Sequence, residues 1–370
     1  MDILFVTSRH PPFDTRIYHK MFLSIKNAGF DIKILLPNQV FLSQKNEYFI
    51  SFKGFSGHWL NLINNFLIVL RCLTIKPNII FFFDPDLLPF FVVYKLLSNT
   101  SIVYDNHEDY PSYIMIKDSI PVWARKLVRL LFLIFFKLGK SIFEFITYAD
   151  PFTTGIDLSN PKEVVIYNFP IIEHFPDQKK EYDLIYPGSI DLGVCERLLK
   201  IAEKLDESTE RIIVFMIIGR DVTPSNRELI ERYQRDHFHT KIILKHNLLY
   251  DEVQEYISRS RIGLNPLPFV EKFRKNIPIK LFEYLMHSIP ILASDLRPIS
   301  MFLNKTKGNF CIKEDNYSYY YSENIIRILN DYSIYSELAK QNYKILEENW
   351  NWNKSEETKL IHITNSLISK

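Results

Sequence analysis

Residues 276–295 read Asn-Ile-Pro-Ile-Lys-Leu-Phe-Glu-Tyr-Leu-Met-His-Ser-Ile-Pro-Ile-Leu-Ala-Ser-Asp, and this stretch decides the class of fold. Its first half carries an apolar stripe at helical spacing, formed by Leu281, Phe282, Leu285 and Met286. Pro278 suits the first turn of that helix, where its missing N–H is not needed. Ser288 and Pro290 end the helix, and the apolar run at 289–293 is typical of an inner strand of a parallel sheet.

Two charged residues, Lys280 and Glu283, stand three positions apart in this apolar helix and therefore share one face. The start of a helix offers free N–H groups and a positive dipole end, which suit a phosphate. A carboxylate one turn later can accept both hydrogens of a vicinal diol such as a ribose. The stretch therefore predicts a nucleotide site, although an exposed ion pair on an ordinary helix explains the two charges equally well.

Composition narrows the class of protein. The chain has 370 residues, of which 47% are hydrophobic, so it is long enough for two domains with substantial cores. A net charge of +2 gives no reason to expect nucleic acid as a partner. Cys72, Cys195 and Cys311 form no CxxC motif and no disulfide framework, which fits a reducing cytoplasm. Asp2 and the polar residues 8–10 interrupt the first apolar run, so we expect no signal peptide and a soluble or peripheral protein.

Strand, loop, helix and strand repeat along the chain. Residues 2–7 and 31–36 read as strands joined by a helix, which is a βαβ unit and implies a parallel sheet. The first loop lacks GxGxxG, which argues against a dinucleotide dehydrogenase. Further strands are predicted at 78–83, 101–105, 151–154, 163–167, 182–189, 212–219, 241–244 and 261–266. The charged, proline-containing run at 168–181 predicts a linker between two similar α/β halves.

Several short motifs in this order carry a resemblance to a known family. They are Asp14-Thr-Arg16, Asp84-Pro-Asp86, residues 104–111 (Tyr-Asp-Asn-His-Glu-Asp-Tyr-Pro), Asn168-Phe-Pro170, Tyr186-Pro-Gly188 and residues 278–284 (Pro-Ile-Lys-Leu-Phe-Glu-Tyr). The chain resembles GT-B glycosyltransferases, specifically the retaining, GT4-like family of bacterial polysaccharide biosynthesis. The resemblance implies an α/β fold of two Rossmann-like domains facing a cleft. It implies an acceptor-side domain at 1–172, a donor-side domain at 181–348, and a C-terminal helix at 349–370 that returns to the first domain.

The resemblance also implies an activity and a set of site residues. The activity is transfer of a sugar from a UDP- or GDP-sugar to a glycan or lipid-linked glycan acceptor, with no metal or other cofactor. His107 and Glu108 are the expected catalytic residues, and the acceptor side holds Asp14, Arg16, Asp84 and Asp86. The expected donor-binding residues are Gly188, Ser189, Gly219, Arg220, Arg274, Lys275, Pro278, Ile279, Lys280 and Glu283.

The chain departs from the family pattern at the donor site. The family often carries two glutamates eight positions apart; Glu283 matches the second, and Lys275 stands at the first. The loop after Gly188 commonly supplies an Arg and a Lys to the diphosphate, but residues 189–194 contain neither. Either Arg274, Lys275 and Lys280 replace them, or the donor site is degraded. Two alternatives to the transferase therefore stay open: an inactive partner of another transferase, and a non-hydrolysing sugar-nucleotide epimerase.

Simpler structural roles compete with the functional ones at single residues. His107 follows a buried strand, where open α/β sheets place ligands, and the alternative is a structural histidine bonded to backbone. Glu108 could cap the following turn, and Asp14 with Arg16 could be a local capping pair. Asp84 and Asp86 resemble a metal pair, although capping of the next helix by Asp84 is favoured. Arg220 could be a solvated loop residue.

Residues 119–150 form a long amphipathic stretch in which basic residues alternate with Leu, Phe and Ile. One interpretation is a buried crossover helix of the first domain. The other is a peripheral face in which basic residues meet an anionic membrane surface and apolar residues enter the interface. The sequence does not decide between them.

Overall fold

The computed structural model describes residues 1–37, 47–55, 60–117, 119–176, 178–220 and 222–368, except for the side chain of Arg220. The chain forms two compact units: Met1–Asn168 with Trp352–Lys370, and Phe169–Asn351. Each unit contains one parallel sheet with helices in the connections. The predicted α/β class with two Rossmann-like domains is therefore confirmed.

The first unit has a seven-stranded sheet in the order β3-β2-β1-β4-β5-β6-β7. Its strands are β1 (Ile3–Val6), β2 (Ile32–Pro37), β3 (Phe49–Phe52), β4 (Ile79–Phe82), β5 (Ser101–Asn106), β6 (Phe145–Tyr148) and β7 (Glu163–Val165). A π-helical turn at Thr15–Phe22 runs into α1 (Leu23–Asn27), and a 3₁₀ turn at Pro85–Leu87 runs into α3. The other helices up to residue 168 are α2 (Asn61–Ile75), α3 (Leu88–Leu97), α4 (Tyr110–Ile116) and α5 (Val122–Ile142).

The second unit has a six-stranded sheet in the order β10-β9-β8-β11-β12-β13. Its strands are β8 (Tyr182–Ser189), β9 (Ile213–Arg220), β10 (Thr240–His246), β11 (Ser260–Asn265), β12 (Ile291–Ser294) and β13 (Phe310–Ile312). Its helices are α6 (Val194–Ser208), α7 (Pro224–Asp236), α8 (Tyr250–Ser258), α9 (Lys280–Met286), α10 (Arg297–Leu303), α11 (Tyr317–Asn330) and α12 (Tyr332–Asn349). A second π-helical turn at Trp352–Glu356 then leads into α13 (Glu357–Ile368), which belongs to the first unit.

Strand composition explains both sheets. β1 and β4 are apolar along their whole length and every residue in them is buried, as expected for strands covered by helices on both faces. β1 pairs with β2 and with β4, and β8 pairs with β9 and with β11. In each sheet the chain first extends to one side of the initial strand and later returns on its other side. Such a reversal opens a crevice outside the carboxyl ends of the two central strands, which is where α/β sheets bind ligands.

Some predicted elements are wrong. The strand expected at 151–154 lies earlier, at β6, and residues 151–154 form turns. The strands β3 and β13 were not predicted. α9 begins at Lys280, so Pro278 precedes the helix, although the Leu281 N–H already donates to the Pro278 carbonyl at 3.2 Å. No helix among the described residues is long and apolar enough to cross a bilayer.

Candidate active site

Asp84 organises the carboxyl edge of the first sheet. It follows β4 and is buried, and its carboxylate accepts hydrogen bonds from Thr7 Oγ1 and Ser8 N, both at 2.7 Å. Burial raises the pKa of Asp84, but the hydrogen bonds, led by that from His10, outweigh it and the net shift is downward. Asp84 makes no side-chain bond to the helix that follows, so the capping role favoured from the sequence is wrong. The carboxylate instead ties the loop after β1 to β4.

His10 is the partner of Asp84, and the sequence reasoning missed it. Its Nδ1 lies 3.1 Å from Asp84 Oδ1, and its backbone N–H donates to Thr7 Oγ1. Burial lowers the pKa of His10, but the hydrogen bond and charge of Asp84 outweigh burial and raise it above its ordinary value of 6.5. His10 is therefore a cationic candidate at this edge. Only its position after a buried strand, in Ser8-Arg9-His10, offered a signal in the sequence.

His107 follows β5 and lies beside His10. The two imidazole rings meet edge to face with centroids 5.0 Å apart. His107 Nε2 is 3.5 Å from the Tyr110 hydroxyl, and its buried Nδ1 is 3.7 Å from Asp105, too far for a hydrogen bond. Among the described residues, no backbone group bonds the ring, so the alternative of a backbone-bonded histidine is wrong.

Arg16 forms a buried ion pair at the carboxyl edge of the first sheet. Its guanidinium forms a two-pronged pair with Asp105 at 2.8 and 2.7 Å and donates to the Ile166 carbonyl at 3.0 Å. Burial raises the pKa of Asp105, but Arg16 outweighs it, so the pKa lies far below its usual range. Asp14 accepts from the N–H groups of Arg16 and Ile17, both at 2.9 Å, and so caps the π-helical turn. Asp14 thus has the local capping role weighed for it, whereas a local pair of Asp14 and Arg16 is wrong, because the Arg16 side chain pairs with Asp105.

Carboxylates crowd the same edge. Asp86 pairs with Arg9 at 3.0 Å and accepts from Asn65. Glu108 caps no helix, because its carboxylate makes no hydrogen bond or ion pair with any described residue. Asp150 follows β6, where burial raises its pKa to about 7. Sequence reasoning missed Asp150 because the strand before it was placed too late.

Gly188 and Lys280 form the centre of the second unit's edge. Gly188 ends β8 with φ +140, and a Cβ placed on it would lie 2.6 Å from Lys280 Nζ. The Lys280 ammonium also sits 3.7 Å from the centroid of the Tyr186 ring, while no carboxylate among the described residues pairs with it. Desolvation lowers the pKa of Lys280 to about 7, although the charge of Glu283 opposes it. A cation therefore lies beside the carboxyl end of β8, and its role as a phosphate partner stays a prediction.

The other expected donor residues are distributed unevenly around this pair. Glu283 is buried one turn into α9. Lys275 pairs with Glu271 at 2.8 Å, and Arg274 is exposed and donates to the Phe269 carbonyl at 3.2 Å. The geometry thus brings Lys280, alone of the three proposed cations, against Gly188. Pro278 and Ile279 lead directly into α9.

The loop after β8 continues the site. Ser189 Oγ donates to Asp191 at 2.8 Å, and its carbonyl accepts from the Tyr186 hydroxyl. Gly219 lies on β9 where a Cβ would collide with Val222, while the side chain of Arg220 is outside the described residues. Asn265, at the end of β11, is fully buried with neither side-chain amide atom hydrogen-bonded. It was missed in the sequence, where it stands out as a polar end to an apolar strand.

No group of three or more His, Cys, Asp or Glu side chains within the described ranges has the arrangement of a metal site. The absence of a metal from the reaction stays a prediction. The site residues thus form two sets, one at the carboxyl edge of each sheet, with titratable groups in the first unit and a desolvated lysine in the second.

Part of the chain matches a known protein family, and several solved structures share its fold. Residues 182–331 match the family described as "Glycosyl transferases group 1". Among solved structures, sucrose-phosphate synthase from Thermosynechococcus elongatus is 11% identical with a TM-score of 0.74, covering 100% of this chain and 99% of its own. HepE from Anabaena, in complex with UDP and glucose, is 12% identical with a TM-score of 0.69 and covers 100% of both chains. No curated protein matches the sequence.

A third structure is longer than this chain. TarM from S. aureus, in complex with Fondaparinux, alpha-GlcNAc-glycerol and UDP, is 14% identical with a TM-score of 0.59. The match covers 84% of this chain and 59% of TarM. Identities this low show a shared fold and leave the substrates open. The chain thus has the GT-B fold, and its residues 182–331 match the glycosyl transferases group 1 family.

Proposed function

We propose that the protein transfers a sugar from a UDP- or GDP-sugar to a glycan or lipid-linked glycan acceptor, with retention of anomeric configuration. The observation that carries the donor proposal is the Lys280 ammonium, held beside Gly188 with no carboxylate partner among the described residues. A diphosphate supplies the negative charge that such a desolvated cation lacks. The solved structures of HepE and TarM in complex with UDP support a nucleotide donor.

Glu283 completes the proposed donor site. It lies one turn after Lys280 on α9, so the two side chains share a face. The carboxylate then receives the ribose hydroxyls while Lys280 receives the diphosphate. Lys275 and Arg274 are weaker candidates than Lys280 for binding the diphosphate, because Lys275 is paired with Glu271 and Arg274 is exposed.

His107 and Glu108 carry the proposed chemistry in the first unit. An imidazole near the reacting carbon orients a sugar hydroxyl and, when protonated, stabilises charge on the departing diphosphate. His10, whose pKa is raised, meets His107 edge to face and supplies positive charge beside it when protonated. We assign Glu108, whose carboxylate pairs with no described residue, the role of stabilising a developing oxocarbenium ion.

The test is a turnover assay paired with calorimetric nucleotide titration. A donor panel identifies the base first, because a ligand at ~100 times its Kd stabilises a protein by about 2.7 kcal/mol. His107→Ala should then lower turnover by ~10²-fold with nucleotide affinity unchanged. His362→Ala, on the exposed face of α13, is the matched control. Near-normal turnover in His107→Ala, or an equal loss of nucleotide binding, contradicts the catalytic role.

One observation favours a second function. Residues 189–193 contain no Arg or Lys, and a lysine whose pKa is about 7 is a weaker phosphate partner than a fully charged pair. A chain that binds another transferase without catalysis of its own has these features. Release of nucleoside diphosphate with any donor and acceptor by the purified protein excludes this alternative.

We also propose a cytoplasmic location. Cys72 and Cys195 are buried thiols and Cys311 is partly buried, and all three are free. Unpaired thiols are typical of a reducing compartment. Fractionation of cells that express the full chain tests the proposal.

A further inference from the structure

The outer faces of α2, α3 and α5 form an exposed apolar surface on the first unit. α3 packs against α2 and against α5, and the inner faces of all three join one core cluster with the sheet. The outer faces expose large apolar side chains, among them Leu62, Phe66, Leu96, Leu97, Trp123 and Leu130. Trp123 is 83% exposed and Leu96 is 74% exposed. Large exposed apolar side chains in such number on neighbouring helices indicate an interaction site.

Every charged residue of these three helices is basic. None of them contains Asp or Glu, although the whole chain has 43 acidic and 45 basic residues. Two of their cations are paired at the margin: Lys95 with Glu144 and Lys140 with Glu163, both at 2.7 Å. The exposed cations that form no ion pair with any described residue are Arg71, Lys126, Arg129 and Lys137.

The arrangement of α5 combines the two properties. At 3.6 residues per turn, Trp123, Leu127, Leu130, Ile134 and Leu138 lie along one exposed stripe. Lys126 and Lys137 lie on one flank of that stripe. An apolar stripe with basic residues beside it is the pattern of a helix that lies in a membrane interface, where Trp is favoured.

We propose that the α2–α3–α5 surface docks onto an anionic lipid bilayer. The apolar side chains enter the interface while the unpaired cations contact lipid phosphates, each cation attracting the surface independently of the others. A second copy of the chain fits less well, because a symmetric pair would bring these cations together with no acidic residue from the three helices to meet them. The proposal does not depend on the donor or the acceptor of the reaction.

Co-sedimentation of the full chain with vesicles tests the proposal, without donor or acceptor. Vesicles of equal parts phosphatidylglycerol and phosphatidylcholine should bind the protein at low salt and release most of it at high salt, because salt screens surface attraction. Two triple variants should each bind at least ~10-fold more weakly. One removes charge and keeps the apolar stripe: Lys126→Gln, Arg129→Gln and Lys137→Gln. The other removes exposed apolar groups: Trp123→Ser, Leu127→Ser and Leu130→Ser.

A matched control removes the same charge elsewhere. Lys200, Lys241 and Lys344 are exposed in the second unit, so their triple substitution by Gln should leave vesicle binding unchanged. Three outcomes overturn the proposal: no sedimentation with anionic vesicles at low salt, equal binding to pure phosphatidylcholine, or equal loss of binding in the control. A dimer in solution that the apolar variant dissociates assigns the surface to a second copy instead.

Discussion

At the scale of single residues, Lys280 makes the donor proposal measurable. Desolvation lowers its pKa to about 7, so about one pH unit above that value the amine is mostly neutral. A bound diphosphate raises the pKa again, since an opposite charge favours the ammonium. Binding of UDP or GDP should therefore take up a proton there, and affinity should fall as pH rises. Titration calorimetry in two buffers with different ionisation enthalpies counts the protons.

Substitution separates Lys280 from its neighbour Lys275. Lys280→Met should abolish proton uptake and weaken the diphosphate far more than the free nucleoside. Lys275→Met should change both much less, because Lys275 is paired with Glu271. Proton uptake that persists without Lys280 would assign it to another group and remove the observation that carries the donor site.

His10 and Asp84 predict a pH dependence in the first unit. Because the pKa of His10 is raised, its contribution to stability is full below the unfolded value and is lost as pH rises through the folded one. Because the pKa of Asp84 is lowered, its contribution is present above 3.8 and is lost as pH falls through the folded value. The pair therefore stabilises most between 3.8 and 6.5, the ordinary values of the two groups.

Asp84→Asn tests this pair by NMR titration of the imidazole. Burial alone then acts strongly on His10, so its pKa should fall relative to the parent protein. His287, in the second unit, has a pKa that burial lowers to about 3, and it should titrate alike in both proteins. A His10 titration that does not move would show that Asp84 is not its controlling partner.

At the scale of elements, strands were predictable where they are buried. Four buried strands are recognisable in the sequence as apolar runs followed by turn residues: β1, β4, β5 and β8. The polar groups that follow these strands lie at the site edge. β3 and β13 are short edge strands, partly exposed, and carry no such signal. β6 follows α5 with only two residues between them, so the apolar pattern does not break where the helix ends.

The part of the site that the sequence did not predict consists of contacts between residues far apart in the chain. Lys280 meets Gly188 across 92 positions because parallel strands bring their carboxyl ends to one edge. The His10–Asp84 pair spans 74 positions in the same way. Spacing within a motif predicts which residues share a helix face. It does not predict which loops the sheet places together.

The β8–α6 loop offers a prediction at this scale. Gly188 has φ +140 and Gly193 has φ +83, so an alanine is strained at either position. Only at Gly188 does the added Cβ meet Lys280, since nothing lies within 4 Å of a Cβ on Gly193. Gly188→Ala should therefore raise the Kd for the diphosphate, whereas Gly193→Ala should cost about 1 kcal/mol of stability and leave binding intact. Equal binding by both variants contradicts the place given to Lys280.

At the scale of the whole molecule, two tryptophans that lie two positions apart in the chain belong to different units. Trp350 belongs to the second unit, where it packs on Phe282 and Phe302. Trp352 belongs to the first, where it is 1% exposed and its indole N–H donates to Ser24 Oγ at 2.9 Å. The chain after Trp352 stays in that core, with Leu360 and Ile363 of α13 buried.

Each tryptophan should therefore control its own unit. Truncation of a buried Trp to Ala costs about 3–5 kcal/mol. Trp352→Ala should speed amide exchange in β1 and β5 but not in β8 and β11, and Trp350→Ala should do the reverse. Ser24→Ala removes only the hydrogen-bond partner of the indole. It should therefore lower the free energy of unfolding of the first unit alone, by about 1 kcal/mol, as for one hydrogen bond. Hydrogen exchange resolved by mass spectrometry measures all three, and an equal acceleration in both sheets would show that the two units open as one.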